Sequence, residues 1–381
     1  MNKKELGIYI HIPFCAKKCY YCDFISYANK TDLVKKYIIA LKREINMKKE
    51  EYKFAEITTV YIGGGTPSFI EAKYIEDVIE MIKKVYNIKE NAEITIEVNP
   101  GTVTLEKLEV YKKAGVNRVS IGLQSTHNHL LQAIGRIHNY YEFVDAYHFA
   151  REAGFENINV DLMIGLPSQT LLEVQDSLEE IISLEPEHIS VYSLIIEENT
   201  QIENMLKEGK ITLPLEEQER KMYWETKRML EENGYEHYEI SNFAKKGYQA
   251  KHNVDCWNQK EYFGFGASAH SYINGARYSN IASLKNYVQN HEKMQAQKNI
   301  QYHETQSMAD KQKEYMLLAL RKIQGVSIQE FKRRFIANPI YLYHTELEKL
   351  VREELVEIDS DTIKLTNKGI DFANLVWKEF V

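Results

Sequence analysis

The chain of 381 residues reads as an α/β protein, a partial (β/α)6 TIM-like barrel over residues 1–300 followed by a smaller winged-helix-like module over 301–381. Three observations predict this. Short β-branched runs alternate with amphipathic helical stretches, the pattern of βα units around a parallel sheet. Six such units fit into fewer than 200 residues, which suggests an incomplete barrel. The residues with chemistry gather just after the strands, at the end where barrel enzymes build their sites.

In chain order, the expected strands are Gly7 to Ile12, Ile57 to Ile62, Ala92 to Val98, Arg118 to Leu123, Asn157 to Met163 and His188 to Leu194. Helices are expected at Asp32 to Lys49, Glu71 to Val85, Leu105 to Lys113, Tyr141 to Ala153 and Leu171 to Leu184. Gly63-Gly64-Gly65-Thr66-Pro67 follows the second strand and Asn99-Pro100-Gly101 the third. Gln124-Ser125 follows the fourth and Gly165-Leu166-Pro167 the fifth. The triple glycine taken alone also reads as a tight turn. After a strand, with Thr66-Pro67 opening a helix, it looks built to bring backbone groups close to a polar ligand.

After the first strand come Cys15, Cys19 and Cys22, three of the four cysteines in the chain. An iron-sulfur cube usually takes four thiolates, so three leave one iron open to an exogenous ligand. Structural zinc asks for two closed pairs, and no second pair follows. Disulfides would leave an odd thiol. Lys17 and Lys18 are expected to favour thiolate over thiol.

The CxxxCxxC spacing resembles the signature of the radical S-adenosylmethionine (SAM) superfamily. That resemblance implies a 4Fe-4S cluster whose free iron chelates SAM, and one-electron cleavage of SAM to a 5'-deoxyadenosyl radical. The run Tyr9-Ile10-His11-Ile12-Pro13-Phe14-Cys15 narrows the likeness to the oxygen-independent coproporphyrinogen III oxidase group, HemN and HemW. By the same resemblance Tyr9, Tyr21, Gly64, Gly65, Thr66, Glu97, Gln124, Arg136 and Asp161 are the SAM-binding candidates. A structural ion pair between Arg136 and Asp161 is the plainer alternative.

Two departures bear on the branch. The oxidases carry a longer amino-terminal extension and a further cysteine two residues after the triplet, where this chain has Phe24. His252-Asn253-Val254-Asp255-Cys256-Trp257 resembles the HNxxYW motif of the HemW haem chaperones, with Cys256 in the tyrosine's place. The resemblance makes His252 the candidate haem ligand, against the alternative of a loop histidine bonded to backbone. Cys256 reads first as a small buried hydrophobe. His270, in a glycine-rich stretch, allows close approach to a cofactor.

Net charge −7 argues against a nucleic-acid binder. No apolar run reaches the roughly 18 residues of a membrane span, although peripheral membrane contact stays open. With no signal-peptide core and free thiolates, a cytoplasmic protein is expected. Glu314 to Lys322, Ser327 to Phe335 and Thr345 to Glu353 read as helices, and Leu355 to Ile358 with Thr362 to Leu365 as a hairpin. Its acidic residues suit a cap or docking module better than a DNA reader. The resemblance therefore implies a haem chaperone of the HemW type, monomer or homodimer, that hands haem to recipient proteins. The rival is an oxidase acting on coproporphyrinogen III.

Overall fold

The computed structural model describes residues 4–381. Six parallel strands form its centre: β1 (Glu5–Ile12), β2 (Glu56–Gly64), β3 (Asn87–Val98), β4 (Arg118–Gln124), β5 (Ile158–Ile164) and β6 (His188–Ser193). Neighbours in sequence are neighbours in the sheet. The crossovers carry α1 (Val34–Met47), α2 (Ala72–Val85), α3 (Leu105–Lys113), α4 (Tyr140–Glu152) and α5 (Leu171–Ser183). The predicted starts are marked by side-chain caps: Thr104 accepts from Lys107, and Asn139 and Thr170 form capping boxes with Glu142 and Glu173.

The sheet extends past both ends of this unit. After α6 (Glu216–Glu232), β7 (Glu236–Glu239) and β8 (Asn242–Ala244) add antiparallel strands beside β6. After α7 (Lys251–Trp257), β9 (Tyr262–Phe265) enters parallel to β1 as a seventh barrel-type strand. Then β10 (His270–Ile273), β11 (Ala276–Asn280) and β12 (Ile300–Thr305) continue antiparallel. The order is β12-β11-β10-β9-β1-β2-β3-β4-β5-β6-β8-β7, and among the described residues the two ends do not pair. The barrel is therefore open, as expected, but has one more parallel strand than the sequence suggested. Four residues of Tyr-Phe-Gly-Phe, returning beside the first strand, carry too little periodicity to be read in advance.

Strand alternation separates two environments. Ile8, Ile10, Val60, Ile62, Ile94, Ile96, Val119, Ile121, Val160 and Val191 are buried on the face covered by helices. From the outer layer Tyr37, Leu41 and Ile45 of α1 and Ile75, Ile79 and Ile82 of α2 join the same core. The opposite positions, Thr59, Thr95, Arg118, Ser120, Asn159, His188 and Ser190, are buried and polar. Most such groups are hydrogen-bonded when buried. Asn159 does this for β4 to β6: its Nδ2 donates to Ser120 Oγ at 2.8 Å and to Asp161 Oδ1 at 2.7 Å, and its Oδ1 accepts from Ser190 Oγ at 3.1 Å.

The carboxyl-terminal part has its own core, with Tyr315, Met316, Phe331, Leu347, Leu350, Val356 and Ile363. Its helices are α8 (Met308–Ala319), α9 (Ile328–Phe335) and α10 (His344–Arg352). Val326–Ser327 joins the hairpin strands Val356–Ile358 and Thr362–Leu365 in a three-stranded sheet. The first helix starts earlier than predicted because Ser307 caps it in a box with Asp310. Arg321 is sandwiched between Trp257 and Trp377, at 4.5 and 4.7 Å from the ring centroids, and Trp224 Nε1 donates to Asp371 at 2.9 Å. Among the described residues no helix is long and apolar enough to cross a membrane.

Candidate functional site

The carboxyl ends of the strands open into a cavity of about 390 Å³. All three clustered cysteines line it, as do Tyr21, Gly64, Gly65, Thr66, Glu97, Gln124, Arg136 and Asp161. The cysteine loop is fixed from both sides: Tyr20 N–H donates to Ile134 O at 3.0 Å, and Ile202 N–H to Tyr20 O at 2.8 Å. Gly135, at φ +74°, lies under this loop; a Cβ there would meet the Tyr20 ring at 2.6 Å. The segment before Arg136 thus fits only as glycine.

Thr66 Oγ1 donates to Cys15 Sγ at 3.5 Å, and Arg136 Nη1 to Cys19 Sγ at 3.5 Å. Burial pushes the Cys15 thiol up, and burial with the nearby Cys19 pushes Cys22 up to about 11. Lys18 pulls Cys22 down, the direction expected of the flanking lysines, but burial is the larger effect, so metal has to displace protons from Cys15 and Cys22.

A cradle for a polar ligand surrounds the thiols. Gly64 has φ +108°, and a Cβ on it would strike the His11 ring at 2.3 Å. A Cβ on Gly65 would meet Ile12 O at 2.8 Å and Phe14 N at 2.9 Å, both backbone atoms. Gln124 sits at φ +72°, next to a register shift between β4 and β5. A bulky residue takes that conformation only where its surroundings impose it. Among the described residues, Gln124 Oε1, Arg136 Nε and Asn99 Oδ1 are buried without a partner. Each is a group that a polar guest in the cavity can satisfy. Three free thiols beside such a cradle match the donor set for a three-cysteine 4Fe-4S cluster with SAM alongside.

Glu97 accepts from Tyr61 Oη at 2.8 Å and from Gly64 N–H at 3.1 Å. Burial, reinforced by the charge of Asp161, raises its carboxyl to about 7. Burial also raises Asp161, which Asn159 and Ser120 hold. The alternative of an Arg136–Asp161 ion pair is not what forms: the Arg136 guanidinium donates to Gly122 O at 2.6 Å and to Cys19.

Two candidates lie elsewhere. Tyr9 does not line the cavity; its hydroxyl is 3.0 Å from His11 Nδ1 and its ring lies beside Tyr61. It pairs in register with Tyr61, which does line the cavity, so it stands directly beside that lining. His252 is buried at 7 % exposure inside the barrel, with Nδ1 2.9 Å from Thr59 Oγ1 and its ring stacked on Tyr61. Its helix is pinned there because Glu93 accepts from the Lys251 and His252 N–H groups at 3.0 and 3.1 Å. Burial, with Arg118 nearby, lowers the imidazole to about 4. The ring is thus enclosed and bonded to a side chain, neither open at the cavity nor bonded to backbone as the loop alternative had it. Cys256 is half-buried, and desolvation raises its thiol to about 12; His270 is exposed.

Asn99, which the sequence places just after the third strand, lines the cavity as well, as do Tyr61, Ser120, Gly122, Met163 and Tyr192, which were not anticipated. Most share one signal: Ser120-Gly122, Asp161-Met163 and Ser190-Tyr192 are spaced by two along apolar strands, so one face must be polar.

An open parallel barrel with three thiols at its carboxyl mouth defines a radical SAM protein. The model of the radical SAM superfamily matches residues 9–181, and that of the HemN carboxyl-terminal domain matches residues 307–372. The heme chaperone HemW of Bacillus subtilis is 38% identical over 376 residues, covering 98% of each chain. That of Lactococcus lactis is 35% identical over 381 residues, covering 100% of this chain and 98% of its own. The coproporphyrinogen III oxidase HemN of Escherichia coli, a radical SAM enzyme, superposes with a TM-score of 0.86 at 23% identity over 99% of this chain and 90% of its own, a likeness of fold. The chain belongs to the HemW family of the radical SAM superfamily.

Proposed function

We propose that this protein is a haem chaperone: it holds a 4Fe-4S cluster on Cys15, Cys19 and Cys22, keeps SAM in the adjoining cradle, binds haem and passes it to haem-accepting proteins. The observation that carries the reading is the gathering of three free cysteines, with no fourth thiol among the described residues lining the cavity, in a chain that aligns end to end with relatives named for haem chaperoning. When bound, such a cluster with SAM supplies one-electron chemistry.

The chain's own residues divide the work. Cys15, Cys19 and Cys22 give thiolates, and Thr66 and Arg136 donate to two of them. Gly64 and Gly65 let the backbone approach the guest, and Gln124, Arg136 and Asn99 offer it unpaired polar atoms. Tyr21 and Asp161 enclose the same space, and Glu97 closes its floor with Tyr61. A cytoplasmic setting belongs to this proposal because free thiols persist in a reducing compartment.

Anaerobic reconstitution followed by parallel assays tests it. Stoichiometric haem binding and transfer to an apo-haem protein, with no carbon dioxide released from coproporphyrinogen III, is the expected result. Turnover to protoporphyrinogen would overturn it in favour of an oxidase.

A further inference from the structure

On the haem-chaperone reading above, we propose that haem docks across the mouth of the cysteine-lined cavity, its ring against Phe24 and its propionates on Lys17 and Lys18. Phe24 lines this opening yet is 63 % exposed, an unusual position for a phenylalanine. Ile25 beside it is 38 % exposed. At the end of β6, Tyr192 lines the same cavity at 40 % exposure, and Ile195 just beyond is 66 % exposed. Phe24 of the cysteine loop and Tyr192 at the end of β6 thus face one opening, each followed by a further exposed isoleucine. Exposed apolar groups collected at a cavity mouth mark a binding surface rather than random surface composition.

Charge selects the occupant. Lys17 and Lys18 line the same opening, whereas the neighbouring Asp23 does not. Neither lysine is in an ion pair among the described residues: Lys17 lies over the Tyr20 ring at 5.0 Å, and Lys18 donates to the Phe24 carbonyl at 3.1 Å. Both ammonium groups remain free to take a carboxylate. A flat apolar ring bearing two carboxylates satisfies both features of this rim, the greasy edge and the paired cations. Phe24 also stands where the oxidase pattern has its further cysteine, so an apolar contact takes the place of a thiol at the rim.

The test uses the full-length, cluster-loaded chain with haemin and zinc protoporphyrin as probes. Haemin titrations followed at the Soret band are expected to show Phe24→Ala binding about tenfold more weakly, the scale for losing part of one aromatic contact. Lys17→Glu with Lys18→Glu should weaken binding further and flatten its salt dependence. Zinc protoporphyrin fluorescence should be quenched in the cluster-loaded wild type and not in Cys15→Ser/Cys19→Ser/Cys22→Ser, a proximity readout that needs no rim variant. Iron and sulfide content verifies that each rim variant keeps its cluster. Unchanged affinities together with unquenched fluorescence would overturn this docking site while leaving the chaperone reading intact. Normal haem binding with impaired transfer in Phe24→Ala would also overturn it, giving the rim to the acceptor protein. A wild type that binds no haem would sink the chaperone reading itself.

Discussion

Replacing Glu97 by glutamine should make the fold more stable at alkaline pH relative to acid, because this carboxyl is held proton-rich inside the barrel. Its value rises from 4.5 to about 7 on folding, through burial and then the charge of Asp161. A carboxyl raised in the folded state contributes stability that is complete below the unfolded value and is lost as pH climbs through the folded one. With those two values, this group's contribution falls by about 2.5 kcal/mol between pH 5 and pH 8. Glutamine keeps the local bonds, since its oxygen can accept from Gly64 N–H and its amide can donate to Tyr61 Oη, but it does not titrate. Urea unfolding of Cys15→Ser/Cys19→Ser/Cys22→Ser, with and without Glu97→Gln, isolates the effect from metal. The difference between the two proteins should shift by about 2.5 kcal/mol in favour of glutamine from pH 5 to pH 8. Parallel pH profiles would refute the reasoning.

Gly65→Ala drives a Cβ into the Ile12 and Phe14 backbone and should displace Cys15, so iron content after reconstitution falls well below one cluster per chain; full loading would contradict the close approach. Because burial raises Cys15 and Cys22, cluster assembly should release protons and weaken as pH drops from 9 to 7, read by iron affinity against a chelator. Removing the guanidinium beside Cys19 in Arg136→Gln should lower the cluster's midpoint potential, measured by redox titration, since positive charge at a thiolate favours the reduced state. Arg321→Ala removes a cation held between Trp257 and Trp377 and should cost about 1–3 kcal/mol in a thermal or urea melt.

The six central strands could be read from sequence because each is a compact run of branched residues followed by a helix with a recognisable cap, such as Asn139 or Thr170. The cysteine loop and the triple glycine were legible for a different reason: their chemistry demands particular residues at fixed spacing. Depth within the barrel was not legible. His252 looks from its motif like a ligand contact, yet Glu93 pins its helix and leaves its ring stacked on Tyr61 inside the barrel. The balance at Cys22 was not legible either, since sequence shows Lys18 but not the burial that outweighs it. Tyr61 and Tyr192 escaped notice because aromatic residues in strands usually signify core.

Iron, sulfide and electron paramagnetic resonance analysis of the anaerobically reconstituted chain, reduced and then given SAM, tests the central claim most directly. The account predicts four irons and four sulfides per chain on Cys15, Cys19 and Cys22, and a spectrum that changes when SAM is added. A protein that takes up no cluster, or whose reduced spectrum ignores SAM, would contradict it.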